Sequence, residues 1–363
     1  MLPVWAKQYK DYSRSLEEFG VRPFRQLPPI RPNIGDDLHI LVFQDVFFSM
    51  LSLSNTYTQY LYSWGKYIGE ESTKQLLQTM GVGHLVAKLG AAWKGYTGIG
   101  VLKDPQYVDK IFRGWEYYKI GTPRILWVDE TAKTFRVKVN ELMYSWDLPN
   151  VKKRTCFLPT GILGGSVEAV IGQPVNIVES ECKAAGKEAD EFAGAVQLPE
   201  HKFDELKPAD FKRIRQSIYD RMFEDEKERH DLDDYANLAL TQAFYLGIFL
   251  SSAGAHALFY WIGRESGKEI GARLKGDRLK GFCDLFEKLK IGHFAVDRRT
   301  MTFVLEECAF CSGVKNMNKR LCSYVAGMIA GYLENTNKKR FTVVETKCIG
   351  SGDKRCEFVI HSK

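Results

Sequence analysis

The feature that most constrains this chain is that its last third repeats an earlier stretch of itself. A shift of 166 residues lays residues 156–192 on 322–358 without a gap. Ten pairs are then identical, among them Cys156/Cys322, Gly161/Gly327, Gly165/Gly331, Glu179/Glu345, Cys182/Cys348 and Phe192/Phe358. Chance would supply roughly two or three over this length, and seldom the rare Cys and Gly types. Upstream the match continues with small insertions. Val137–Glu141 falls on Phe303–Glu307, Lys119–Gly121 on Lys290–Gly292, and Tyr67-x-Gly69 on Trp261-x-Gly263. A duplication divides the chain into an N-terminal arm (1–33), a first domain (34–197), a linker containing a helix (198–232) and a second domain (233–363). Each domain is long enough to bury a core of its own.

Both copies read in the same order. A long helix rich in apolar and aromatic residues comes first, over Val46–Glu71 and Leu238–Glu265. A second helical region ends near Tyr118 and near Leu289. A hairpin of alternating residues follows, Arg124–Val128 with Thr134–Val139, and His293–Asp297 with Thr300–Leu305. A helix then opens at Cys156 or Cys322, and a second hairpin closes the unit. In the second copy Val325, Met328, Ile329, Tyr332 and Leu333 share one helical face. Phe341, Val343 and Glu345 share one face of a strand, and Cys356, Phe358 and Ile360 one face of the strand that returns from the Gly350–Asp353 turn. The expected fold class is α/β (α+β): two tandem domains, each an antiparallel sheet with packed helices. The prolines of residues 22–33 predict an extended arm, and Pro208–Arg229 reads as a charged amphipathic helix.

Composition narrows the function. With 45% hydrophobic and 26% charged residues the chain reads as globular. The net charge of +6 is spread through mixed runs such as Glu224–Arg229, a solvated surface rather than a nucleic-acid face. The stretch Ala243–Gly263 has no charged residue and is long enough to span a bilayer. It nevertheless carries Ser251, Ser252 and His256, and its counterpart contains Asn55, Gln59 and Lys66; one buried helix accounts for both copies, so no membrane span is expected. No secretory pattern opens the sequence, so a cytoplasmic location with reduced cysteines is expected, where clustered Cys binds metal rather than forming disulfides.

The metal candidates follow from spacing. In the second copy they are Cys322, Glu345, Cys348 and Cys356: E-x2-C, a glycine turn and a returning Cys, with Cys322 opening a helix. Three soft sulfurs and one carboxylate suit Zn²⁺ in a closed structural site better than Mg²⁺ or Ca²⁺. In the first copy the set is Cys156, Glu179, Cys182 and Asp190, with a carboxylate in place of one thiolate. That set is harder, and both a weaker site and a decayed one stay open. Cys308-x2-Cys311 could form a redox pair or supply further ligands; with no thioredoxin-like context it reads as a core strand end with one semi-exposed thiol. Its first-copy positions hold Leu142 and Ser145. No Walker loop, dinucleotide fingerprint, nucleophile elbow or HExxH motif occurs, and no catalytic residues are assigned.

These residues resemble the V4R (4-vinyl reductase) domain family. The likeness is carried by Cys322-x4-Gly327-x3-Gly331, Glu345-x2-Cys348, Gly352-Asp353 and Cys356-x-Phe358, and it is specific over the last third of each copy. The first copy departs from the pattern at Asp190 and at Gly186-Lys187. The resemblance implies the fold of the Bet3-like subunits of the TRAPP tethering complex. It also implies structural zinc near an apolar pocket, as in the sensor domains of aromatic-responsive activators. Nothing resembles an ATPase or a helix-turn-helix module, so a complete transcription activator is not expected. The expected function is a non-catalytic, zinc-containing protein that binds a small hydrophobic or aromatic molecule as sensor or carrier. Tyr60, Trp64, Phe259 and Trp261 are candidates to line its pocket. One alternative is a Bet3-like scaffold, as a homodimer or an intramolecular pseudo-dimer. Another is a reductase acting on a tetrapyrrole-type substrate.

Overall fold

The computed structural model describes residues 30–54, 56–79, 98–196, 203–224, 229, 231–251, 253–297, 299–300, 302–315, 317 and 319–362. Residues 1–29 of the arm, residue 197 and linker residues 198–202, 225–228 and 230 lie outside the described residues. In chain order the elements begin with β1 (Asp37–His39), α1 (Ile40–Leu51), α2 (Thr56–Thr79), α3 (Pro105–Tyr117), β2 (Thr122–Asp129) and β3 (Thr134–Asn140). Next are α4 (Phe157–Ile171), β4 (Val175–Glu181), β5 (Asp190–Val196), α5 (Pro208–Arg221), β6 (Tyr235–Asn237), α6 (Leu238–Ser251) and α7 (Ala255–Arg273). The chain closes with α8 (Arg278–Lys288), β7 (His293–Asp297), β8 (Thr302–Glu306), α9 (Ser323–Asn337), β9 (Phe341–Lys347) and β10 (Cys356–Ser362). The protein is thus of the mixed α/β class with antiparallel sheets.

Two compact units form. A C-terminal unit gathers the described residues of Met1–Met50, Tyr219–Glu224 and Tyr235–Lys363; a central unit gathers those of Leu51–Ile218 and Asp225–Asp234. Each holds a four-stranded sheet, in the order β2-β3-β5-β4 in the central unit and β7-β8-β10-β9 in the C-terminal one. The alternating pattern places Phe135, Val137 and Val139 of β3 inside, as a half-buried strand requires. Each closing hairpin carries a bulge: Glu179 pairs with Phe192 and Glu181 with Glu191, just as Glu345 pairs with Phe358 and Lys347 with Glu357. The hydroxyl of the residue between them, Ser180 or Thr346, donates to the Glu191 or Glu357 carbonyl. Glu179 and Glu345 are thereby held on the inner face of their sheets.

Behind each sheet two helices cross at backbone contact. A Cβ on Gly165 of α4 would lie 1.7 Å from the Lys66 carbonyl oxygen, and one on Gly69 of α2 1.9 Å from that of Ile162. The α7/α9 crossing is built alike: a Cβ on Gly331 would lie 1.9 Å from the Arg264 carbonyl oxygen and one on Gly267 2.0 Å from that of Met328. Lys66–Glu168 and Arg264–Glu334 ion pairs flank the two crossings. These contacts correct the helical register read from sequence. Gly65 and Gly69 correspond to Gly263 and Gly267, so Tyr67-x-Gly69 matches Glu265-x-Gly267, one helical turn beyond Trp261-x-Gly263.

Three further expectations on the helices change. The stretches Val46–Glu71 and Leu238–Glu265 are each broken into two helices, the second break falling just before the Gly254 cap of α7. The charge-free run over residues 243–263 is therefore not one helix, and no described helix is long and apolar enough to cross a membrane. The charged helix starting at Pro208 stops at Arg221.

Arg31 and Arg229, related by a shift of 198 residues, anchor their segments in the same way. Arg31 donates through its backbone N–H to Asp36 Oδ1 (2.9 Å), and Arg229 to Asp234 Oδ1 (2.8 Å). Both guanidinium groups are fully buried. That of Arg31 donates to the carbonyls of Lys290 (2.7 Å), Glu307 (3.3 Å) and Asp37. That of Arg229 donates to the carbonyls of Lys119 (2.8 Å) and Glu141 (3.1 Å). Lys119, Glu141, Lys290 and Glu307 all take left-handed backbone, with φ of 50–56°. The Glu307 carboxylate caps the Asn33 and Ile34 N–H groups, and that of Glu141 caps Asp231 and Leu232. Arg31 thus anchors its segment within the C-terminal unit, and Arg229 its own within the central unit.

Candidate metal centre

In the C-terminal unit the bulged hairpin, the turn after β8 and the start of α9 bring their polar groups to one point. Cys322 caps α9, whose depth is set by the glycine crossing. Its N–H donates to Glu345 Oε2 at 2.9 Å. Cys348 ends β9, with its N–H held by Asp353 (2.8 Å) and its sulfur accepting from the Leu321 N–H (3.4 Å). Gly352, at φ +99°, turns the chain so that Cys356 returns on β10. All four residues are buried, and their ligand atoms lie within 4.8 Å of one another.

Two cysteines join them. Cys308 and Cys311 are both fully buried, so the expectation of a strand end with a semi-exposed thiol is corrected. With Cys322 and Cys356 they form a second four-donor group within the same 4.8 Å limit. Sulfur separations are 3.4 Å for Cys308–Cys322 and Cys311–Cys322, 3.3 Å for Cys311–Cys356 and 3.6 Å for Cys322–Cys356. A tetrahedron of sulfurs about 2.3 Å from a central ion has edges of roughly 3.8 Å. The C-x2-C pair, which the sequence left open as a redox pair or further ligands, joins the other donors because β8 and β10 are paired in one sheet.

Burial shapes the electrostatics. It pushes the Cys311 and Cys322 thiols up, and burial together with the neighbouring Cys348 raises Glu345 to about 10. S–H groups of Cys311, Cys322 and Cys356 push Cys348 below its ordinary value. Glu345 Oε1 is buried without a hydrogen-bond partner. Such an oxygen, among converging thiols, fits a cation as its missing partner. The donors suit a thiophilic ion, so the centre could hold a metal.

In the central unit Cys156, Glu179, Cys182 and Asp190 also converge within 4.8 Å, all buried. The Cys156 N–H donates to Glu179 Oε2 at 3.0 Å, as in the other unit, and Glu179 Oε1 is likewise unpartnered. Burial, then Asp190, raises Glu179 to about 7. Asp190 differs from its counterpart Cys356: it accepts from the Ser145 hydroxyl (2.7 Å) and the Lys183 N–H (3.0 Å). The Cys156 and Cys182 sulfurs are 3.9 Å apart.

The aromatic residues suggested for a pocket divide differently. Trp64 and Phe259 are core, Phe259 stacking on Tyr245 with centroids 4.1 Å apart, whereas Trp261 is 38% exposed. A cleft of about 780 Å³ lies elsewhere in the C-terminal unit, with Met222, Phe223, Leu274 and Leu285 in its wall and Arg273 and Lys288 among its charged residues. Sequence reading also missed Asp45. Its fully buried carboxylate accepts from the hydroxyls of Tyr219 (2.7 Å), Tyr324 (2.7 Å) and Ser266 (2.5 Å).

With this geometry in hand, comparison with known proteins is direct. The V4R domain profile matches residues 301–362, which contain every donor of the C-terminal centre. An uncharacterized protein of Methanocaldococcus jannaschii is 34% identical over 154 residues, 41% of this chain and 88% of that protein. A second one from the same organism is 33% identical over 95 residues, 26% of this chain and 59% of its own length. Among solved structures, a vinyl-4-reductase family protein of M. jannaschii covers 40% of this chain and 88% of its own (19% identity, TM-score 0.30). The phenol-responsive sensory domain of the transcription activator PoxR, with phenol, covers 44% and 75% (14% identity, TM-score 0.30). A trafficking protein particle complex subunit 3 from Naegleria fowleri, covalently bound to palmitic acid, covers 44% and 99% (12% identity, TM-score 0.31). The profile match identifies residues 301–362 as a V4R domain. The chain belongs to the V4R-domain family.

Proposed function

We propose that this protein is a non-catalytic, zinc-containing member of the family that binds a small, largely apolar molecule as sensor or carrier, and that both halves of the chain are V4R-type domains. The observation that carries the reading is the burial of the C-terminal centre: every one of its donor residues is buried. Structural zinc sites are closed in this way, whereas catalytic ones keep an open position. Zinc also suits a set dominated by thiolates. The cleft beside Leu274 and Leu285 supports a small-molecule ligand, since its size is in the range of such sites and its apolar wall is rimmed by charges of both signs, Arg273, Lys275 and Lys288 with Asp220 and Asp284. A small, largely apolar molecule would complement it.

Native mass spectrometry of the purified chain tests both parts. The reading expects zinc and a co-purifying small molecule, with the molecule lost from Leu274→Trp while the zinc stays. A chain that carries zinc but never a ligand, in parent or variant, would overturn the sensor or carrier. The scaffold reading has one observation of its own: edge strand β2 exposes Leu126 (42%) and Trp127 (45%), a surface on which another protein could sit. Trp127→Ser would then abolish a stable partner in pull-downs and leave ligand content unchanged.

A further inference from the structure

The two four-donor groups of the C-terminal centre share an edge. Cys308, Cys311, Cys322 and Cys356 form one, Cys322, Glu345, Cys348 and Cys356 the other, and the shared pair is Cys322 and Cys356. One tetrahedral ion can take only four donors, so either group alone would strand two buried polar groups of the other. We propose that the centre is binuclear, with Cys322 and Cys356 bridging two zinc ions, Cys308 and Cys311 completing the first ion's shell, and Glu345 and Cys348 the second's.

Three observations converge on this arrangement. The first is the spacing already given: the bridging sulfurs are 3.6 Å apart, close to the edge that two sulfur tetrahedra would share. The second is charge. Six anionic donors around two divalent ions leave the same two negative charges as four donors around one ion, so the second ion lets the remaining two donors bind as anions without making the interior more charged. The orphaned Glu345 Oε1 then gains a cation. The third is the other unit, which lacks one bridging thiolate and the Cys308/Cys311 pair (the knuckle) together. Where Cys356 becomes Asp190, Cys308 and Cys311 become Leu142 and Ser145, and the Ser145 hydroxyl occupies the Asp190 carboxylate at 2.7 Å. A carboxylate already satisfied by a hydroxyl and a backbone N–H is a poor soft bridge. The knuckle and the bridging thiolate stand or fall as one device.

This inference rests on the zinc proposed above, but its failure is separable from that reading. Zinc would be counted by inductively coupled plasma mass spectrometry on the full chain, parent against two variants. The binuclear centre predicts that Cys308→Ser/Cys311→Ser and Cys348→Ser each lose about one zinc equivalent. Loss from the knuckle variant alone, or from Cys348→Ser alone, would mean a single ion held by one group and would overturn the bridge. Loss from neither would overturn the zinc reading itself. Cobalt substitution gives a readout independent of counting. Thiolate-bridged Co²⁺ ions couple antiferromagnetically, so the high-spin electron paramagnetic resonance signal per cobalt should be weak in the parent and recover in either variant. Should both variants fail to fold, the triple change Leu142→Cys/Ser145→Cys/Asp190→Cys remains: it should add bound metal and raise the coupled fraction, and unchanged metal content would contradict the proposal.

Discussion

Gly161, Gly164 and Gly165 lie on one helix, α4, yet should respond to alanine in opposite ways. A Cβ at Gly165 would sit 1.7 Å from the Lys66 carbonyl oxygen and one at Gly161 2.1 Å from that of Tyr62, both backbone atoms of α2. To restore a contact of about 3.4 Å at Gly165 the two helices must separate by roughly 1.7 Å, which loosens side-chain packing along the crossing. Overpacking of this kind costs about 1–3 kcal/mol, even against the gain in helix propensity. At Gly164 the nearest atom is Ile177 Cγ1 at 4.0 Å, an ordinary contact. There alanine only removes glycine's helix penalty, a gain of up to about 1 kcal/mol. Thermal melting followed by circular dichroism reads all three. Gly165→Ala and Gly161→Ala should melt about 2–8 °C lower, and Gly164→Ala at or above the parent. Equal melting temperatures for the three variants would refute the backbone crossing.

The remaining predictions concern the buried polar devices. Asp45→Ala strands the hydroxyls of Tyr219, Ser266 and Tyr324 and should cost about 3–5 kcal/mol by urea unfolding, whereas Tyr324→Phe, which removes one donor, should cost about 1 kcal/mol. Arg31→Ala and Arg229→Ala each leave buried carbonyls unpaired, and hydrogen exchange should show faster opening around residues 290 and 307 in the first and 119 and 141 in the second. Asp204 is held below the usual carboxylate range by hydrogen bonds from Arg154, then by its charge. A depressed folded-state value means the contribution is complete above the unfolded value near 3.9 and is lost as pH falls through the folded one. Asp204→Asn should therefore flatten the loss of stability below about pH 4, with no change of slope near neutrality.

Much of this architecture is legible in residue order because its signals are local. The hairpins show as period-two alternation, and α9 as a helical face running from Val325 to Leu333. Cys322, Glu345, Cys348 and Cys356 are visible because a turn and a helix cap place them. What sequence hides is set by packing. Trp261 and Phe259 look alike in a helical pattern, but only Phe259 points into the core. Gly69 and Gly263 each fit a loose match, and only the crossing decides the register. Cys308 and Cys311 look like an isolated pair until β8 pairs with β10 and lays Leu305 opposite Cys356. Arg31 and Arg229 sit in segments too irregular for any periodicity, and their likeness shows only in the carbonyls they find.

The central claim is that the buried cysteines of the C-terminal unit hold metal through sulfur. Zinc K-edge X-ray absorption on the purified chain tests it most directly. The account predicts a first shell dominated by sulfur at about 2.3 Å. A chain without bound metal, or a shell of nitrogen and oxygen alone near about 2.0–2.1 Å, would contradict it.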